Sequence, residues 1–350
     1  MNARERVQLA LTGQTPDRIP KALGFYPQTL PAIAPTTPEE RFALDVHYVE
    51  FDPPDTQESF LGYLAGLPAD VYVGSLAQLR TYHEWRYHPE RGPARPGSQA
   101  QTVEDLAATP LPHLAAPQRH AALADRVQAL HRRGVAVAGS PPHLGGELFE
   151  NAWRLRGFGN FLTDLAARPA LAHYLLDQLT AMLEETVRIL AQAKVDILLL
   201  DDDVAMPTGL LISPATWRAF LKPRLAQVIA VARAAAPDML VFYHSDGDFT
   251  ALVPELVEIG VQVINPLQPD CMDALAIKRR WGDRLALWGA VGTATLWDHG
   301  SPQDVEREVR QRIETLGPAG LLLVPAYDVD FAPLENLVAF AEAVERWGCL

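Results

Sequence analysis

Eight short apolar runs set the frame of this chain. They fall at residues 18–25, 44–51, 134–139, 195–200, 239–243, 261–264, 285–288 and 320–324. Several are β-branched and apolar on both faces, as parallel strands covered by helices are. Amphipathic helical patterns lie between them. Two of these open with the same pair, Ser213-Pro214 and Ser301-Pro302. That pair reads as an N-cap followed by the first helical position. A strand-then-helix rhythm repeated in this way predicts a (β/α)8 TIM barrel. The chain, 1–350, is expected to be a single barrel domain with an insertion around 53–130, where Pro, Ala and Gly accumulate. Within the insertion, "RTYHEWRYHP" is expected to form a small hairpin. Its aromatics would suit a lid or a partner surface, with plain surface decoration the simpler expectation.

Composition narrows the partners. The net charge of −13 repels phosphate backbones and argues against nucleic acid. No apolar run reaches the roughly 18 residues of a membrane span. The opening residues lack a secretory signal's apolar core. The two cysteines, Cys271 and Cys349, make no disulfide framework, and their usage suits a cytoplasmic, reducing setting. A small molecule is the expected partner, and the oligomeric state is left open.

Barrels of this kind carry their chemistry at the C-terminal ends of the strands. Here those ends include "GFY", "GSPPH", "LDDDVA", "HSDGD", "NPLQPDC", "WGAVG" and "PAYDVD". His244 and Asp246 are two apart, so on extended backbone both side chains point the same way. They suit an acid/base pair or two ligands of zinc or another divalent metal. The bland alternative has His244 merely bonded to a carboxylate. Asp201, Asp202 and Asp203 repel one another unless something cationic intervenes; Asp202 is expected to face the pocket, while a neighbour caps a helix. Glu150 and Arg154 read as an i,i+4 pair, and Glu147 as a residue that reaches the pocket. Asn265 and Gln268 offer amides to a substrate, with Phe25 and Trp288 as further binding candidates. Tyr327 is a candidate proton donor, and the lone Cys271 reads as inert.

The segments "ARERVQLALTGQTPDRIP", "LRGFGNFLTDLAARP", "GLLISPATWRAFLKPR", "HSDGDFTALVPELVEIGVQVINPLQP", "LALWGAVGTATL" and "PAYDVDFAPLENL" resemble, in order, the uroporphyrinogen decarboxylase superfamily. That superfamily also holds zinc methyltransferases that move methyl groups between corrinoids and thiols. The resemblance implies a uroporphyrinogen decarboxylase-like barrel. It also implies a methyltransferase-like enzyme acting on a small substrate, with a corrinoid protein as candidate partner. The alternative is a lyase of decarboxylase type on a smaller carboxylated substrate. The chain departs from both patterns. Decarboxylases of the family resemble one another at an Arg-Gln-Ala-Gly-Arg stretch, where this chain has "IPKALGFYPQ" with Lys21 alone basic. The zinc enzymes carry His-x-Cys after the fifth strand and a second Cys after the eighth. Here Asp246 and Ala326-Tyr327 stand at those places. The implied catalytic set is His244, Asp246, Tyr327 and Asp202, with His244 and Asp246 as metal ligands.

Overall fold

The computed structural model describes all residues except 24–32, 34, 55–56, 68–75, 89–94, 330 and 350. Seven parallel strands form one curled sheet. In chain order the strands are β1 (Val46–Val49), β2 (Ala136–Gly139), β3 (Ile197–Asp201), β4 (Ala205–Met206), β5 (Gly209–Leu210), β6 (Leu240–His244), β7 (Val263–Asn265), β8 (Ala286–Val291) and β9 (Leu321–Pro325). β4 and β5 make a separate antiparallel ribbon beside the end of β3, and the others pair as β1-β2-β3-β6-β7-β8-β9. The run at 18–25 is not a regular strand among the described residues. Leu323 N–H donates to Pro20 O (3.0 Å), Ala22 N–H to Leu323 O (3.1 Å) and Asp45 N–H to Lys21 O (2.9 Å). Residues 20–22 are thus tied to β9 on one side and to the residue preceding β1 on the other. Pro20 has no N–H to donate, which keeps this pairing from extending into a ladder.

Alternation along each strand separates two cores. Val46, Ala136, Ala138, Ile197, Leu240, Phe242, Val263, Ala286, Trp288, Leu322 and Val324 pack together inside the curl, joined by Val7 and Leu11 of the helix Ala3–Leu11. Their neighbours Val137, Leu198, Leu200, Val241, Tyr243, Ile264, Leu287, Leu321 and Leu323 face the helices in the larger core. The helices start where the Ser-Pro pairs predict: Ser213 caps Pro214–Phe220, and Ser301 caps Pro302–Leu316 in a capping box with Asp304. No helix among the described residues is long and apolar enough to cross a membrane.

The expected hairpin in the 53–130 stretch is a helix instead, Leu76–Glu84. Tyr82 lies on it, and Trp85 just past its end donates its backbone N–H to Thr81 O (3.0 Å). The aromatics are not a lid surface. Phe60, Tyr63, Tyr82, Trp85 and Tyr87 are buried in the main core. Trp85→Ala is therefore expected to destabilise the protein by about 3–5 kcal/mol, as for other buried Trp truncations, read as a shifted urea midpoint. Leu61→Ala, at a 61 % exposed position, should change stability by less than about 0.5 kcal/mol.

Candidate active site

Strand register builds the site. Asp201 of β3 is paired with His244 of β6, and His244 with Asn265 of β7. Three polar residues thus stand side by side at the last rung of three adjacent strands. Each continues the inner row of its strand: Ile197 and Leu199 lead to Asp201, Leu240 and Phe242 to His244, and Val263 to Asn265. The row crowns the inner core, with Phe242 and Trp288 packed edge to face 5.2 Å apart beneath it.

His244 is the centre of the site. Its Nε2 lies 3.9 Å from Asp201 Oδ1, 3.6 Å from Asp203 Oδ1 and 3.7 Å from Asp246 Oδ1. Its Nδ1 lies 2.5 Å from Asn265 Oδ1. Burial alone would lower the imidazole's pKa. The carboxylates of Asp201, Asp203 and Asp246 and the bond to Asn265 outweigh it and push the value up to about 9. His143, four residues beyond β2, behaves oppositely. Burial first, then the charges of His244 and Arg154, bring it down to about 4. Its Nδ1 accepts from Gly145 N–H at 3.1 Å. The mouth therefore holds one charged imidazole and one neutral one near pH 7. Environments that drive two like groups apart in this way mark acid/base sites. His143 was not singled out from the sequence, although its place in "GSPPH" was the available signal.

The His-Ser-Asp-Gly segment divides its work by alternation. His244 faces inward. Ser245 is fully buried on the other side, where its Oγ accepts from Val204 N–H (3.2 Å) and ties the β6 end to the β3 loop. Asp246 returns to the mouth and accepts from Gln268 Nε2 (2.9 Å), while its backbone N–H donates to Asp203 Oδ1 (2.6 Å). Burial raises the Asp246 carboxyl, His244 lowers it, and Asp203 and Asp328 raise it again, to about 6. Half of this side chain is exposed, and solvent screening moderates the effect. Gly247 turns the chain at φ +80°, and a Cβ there would lie 2.6 Å from the backbone of Met206. Only glycine meets both conditions.

Other expected residues lie elsewhere. Asp202 does not face the mouth. Its two oxygens accept from Phe149 N–H (2.7 Å) and Glu150 N–H (2.8 Å), which caps the helix Phe149–Arg156. The pocket-facing members of the triple are Asp201 and Asp203. Glu147 is buried, with Oε2 accepting from Asp201 N–H (2.6 Å) and Oε1 lacking a hydrogen-bond partner. Burial, then the charge of Asp201, holds its carboxyl well above the usual range. Glu150 and Arg154 form the expected i,i+4 pair at 3.0 Å. The pair also borders the site: Glu150 is pushed up to about 7, by burial first and by Asp203 among its neighbours, with Arg154 and His244 opposing.

Trp288 is 2 % exposed. It is floor beneath His244 rather than a substrate contact. Gln268 and Asn265 spend their amides on protein: Gln268 bridges Asp246 and Gly247 N–H (2.8 Å), and Asn265 joins His244 to Trp288 O (2.8 Å). Tyr327 donates its hydroxyl to Asp270 Oδ2 at 3.1 Å. Phe25 lies outside the described residues. Lys21, the one base of "IPKALGFYPQ", pairs with Glu345 (2.8 Å) and Ala341 O (3.1 Å) on the last helix.

A metal would find nitrogen and oxygen here. Asp201, Asp203 and His244 each offer one ligand atom, all within 4.8 Å of one another. Asp246, expected as a ligand, falls outside that group. The set suits zinc or a harder divalent ion bound through one imidazole and carboxylates. It does not suit a thiolate-rich site: Cys271 Sγ lies 3.6 Å from Gln268 Oε1 and Cys349 Sγ bonds Glu345 O.

The description "Uroporphyrinogen decarboxylase (URO-D)" belongs to the family model that matches residues 84–347. The chain belongs to the uroporphyrinogen decarboxylase family. A chloroplastic uroporphyrinogen decarboxylase of Zea mays is 24 % identical over 180 residues, 51 % of this chain and 44 % of that protein. The match thus spans less than half of the curated relative. A solved methyltransferase from Methanosarcina mazei shares the fold, with a TM-score of 0.70 over 99 % of both chains at 16 % identity. As a uroporphyrinogen decarboxylase-family protein, this chain presents a mouth of carboxylates around one histidine.

Proposed function

We propose that this chain is a methyltransferase-like enzyme of the uroporphyrinogen decarboxylase family, whose described strands and residues 20–22 belong to a closed (β/α)8 barrel. It moves or removes a methyl group on a small neutral or cationic substrate, such as a methyl ether, thioether or methylated amine. The observation that carries this reading is the ring of Asp201, Asp203 and Asp246 around Nε2 of His244. Such a mouth focuses cations and repels polycarboxylates. The fold shared with a methyltransferase over both whole chains supports it.

In the step proposed, a nucleophile attacks the methyl carbon of CH3–X–R. The C–X electron pair passes to X, and His244 Nε2–H delivers a proton to X. General acid help of this kind contributes about 10²–10⁴-fold. An ether or thioether needs that proton; a quaternary ammonium leaves as a neutral amine and does not. The nucleophile comes from outside the chain. Burial, with Asp270, Asp246 and Asp248 nearby, pushes the Cys271 thiol up against a lowering bond to Tyr327, so it makes a poor thiolate. A corrinoid protein is the candidate acceptor. A divalent ion held by Asp201, Asp203 and His244 would supply that help in place of the Nε2 proton, by polarising the heteroatom that carries the methyl group.

Family membership and the charged His244 also favour a second reading, a decarboxylase-type lyase in which His244 protonates a carbanion. A screen separates the two. Metal-free protein at low salt is expected to gain melting temperature with quaternary amines or methyl ethers, because a ligand of the folded state stabilises it. With a reduced corrinoid acceptor those compounds should lose methyl groups. Greater stabilisation by polyanions, or conversion of uroporphyrinogen III at about 1 per second or faster, would establish the lyase instead.

A further inference from the structure

We propose that Asn265 is a positioning residue that fixes which nitrogen of His244 serves the mouth, holding Nδ1 as a donor into the sheet and leaving Nε2 as the atom that reacts. This deepens the reading of His244 as the acid. Its chemical consequence rests on that reading, but its geometry does not.

The assignment follows from hydrogen-bond inventory. Trp288 O is an acceptor only, and it lies 2.8 Å from the Asn265 amide nitrogen. The NH2 group therefore faces Trp288, and Oδ1 faces His244. Oδ1 is also an acceptor only, and it stands 2.5 Å from Nδ1. Nδ1 must then carry the hydrogen in both the charged and the neutral ring. Asn265 itself is 8 % exposed, and both ends of its amide are engaged. Backbone pairing holds it level with the histidine: Ser245 N–H donates to Asn265 O at 3.2 Å, and the two residues share a rung of β6 and β7.

The same loop supports Asp246. Gln268, three residues on, bonds the Asp246 carboxylate and the Gly247 N–H. The stretch from Asn265 to Gln268 thus steadies both His244 and Asp246. With Nδ1 committed, proton exchange and any ligation run through Nε2, the nitrogen surrounded by Asp201, Asp203 and Asp246. In the neutral ring the Nε2 lone pair is then directed at the mouth. Without Asn265, the neutral ring is free to place its hydrogen on Nε2 and lose that acceptor.

The test is long-range 1H–15N NMR of the full, metal-free chain labelled with [15N]histidine, titrated upward until the His244 nitrogen shifts report the neutral ring. His244→Gln identifies the signal. The wild type is expected to show His244 as the Nδ1–H form. Asn265→Ala should move it to Nε2–H or a mixture, and Asn265→Asp, which keeps an acceptor toward Nδ1, should restore Nδ1–H. A wild-type ring found as Nε2–H overturns the proposal, and so does an unchanged tautomer in a folded Asn265→Ala. If Asn265→Ala does not fold, as judged by circular dichroism, the wild type and Asn265→Asp decide. Absence of demethylation alongside the expected tautomers would sink the methyl-transfer reading and leave this assignment standing.

Discussion

His244→Gln is expected to lower demethylation of a methyl ether or thioether by about 10²–10⁴-fold, the range for removal of a general acid. The variant keeps a polar side chain of similar size but cannot titrate. The acid form is the working form, so wild-type activity should hold below the imidazole's value of about 9 and fall above it. The carboxylates set that limb. Asp203→Asn removes one of the charges that raise the ring, so the alkaline limb should move to lower pH. A quaternary ammonium substrate, which needs no proton on departure, should be far less sensitive to His244→Gln. Turnover of an ether within about three-fold of wild type, with an unmoved alkaline limb, would remove His244 from the acid role, since a general acid contributes far more.

Glu147→Gln should make the protein more stable at alkaline pH. The Glu147 carboxyl is held well above its usual range by burial and by the charge of Asp201. The folded state therefore keeps a proton that the unfolded chain has already released above about pH 5. The resulting stability is present at low pH and is lost as pH rises through the folded value. Asp202, raised to about 8 chiefly by burial, and Glu150, raised to about 7, act with the same sign. So does His244, whose contribution is full below its unfolded value and is lost as pH climbs through about 9. The melting temperature of the metal-free protein should thus decline from about pH 5 to pH 9. Gln at position 147 still accepts from Asp201 N–H. Its NH2 group takes the place of an oxygen that already has no partner, so that cost nearly cancels. The variant should match wild type near pH 5 and exceed it near pH 8.5, read by denaturation at the two pH values. Equal destabilisation at both would mean that Glu147 is ionised in the fold.

Much of this was legible in the sequence because it is local. Seven of the eight apolar runs overlap strands, and the polar ends that follow them gather at one mouth. The Ser-Pro pairs mark helix starts because capping involves only neighbouring residues. His244 and Asp246 share a side, as a spacing of two requires. What failed depended on parity or on partners. The run before Asp201 is apolar on both faces, so its pattern does not declare which of Asp201 and Asp202 points inward. Only the packing of Ile197 and Leu199 inside the curl settles it. Asn265 and Gln268 looked like substrate contacts because their protein acceptors, Trp288 O and Asp246, lie 23 and 22 residues away. The partner of Lys21, Glu345, is likewise at the far end of the chain.

The shared rung of Asp201, His244 and Asn265 has a bearing on how such a protein tolerates change. Residues Leu240 to Tyr243 are apolar throughout, so a single-residue insertion or deletion in β6 would leave two well-filled cores. It would nevertheless turn His244 to the helix-facing side, because one step along a strand swaps its faces, and bring Tyr243 (insertion) or Ser245 (deletion) to the rung. Hydrophobic packing alone does not guard against that slip. The polar rung does: an out-of-step strand sets a phenol or a serine hydroxyl against Asn265 and Asp201, and sends a charged imidazole into the helix-facing core. Lengthening and shortening of the chain should therefore be confined to the loops beyond the rung, where new substrates can be accommodated without retiming the strands.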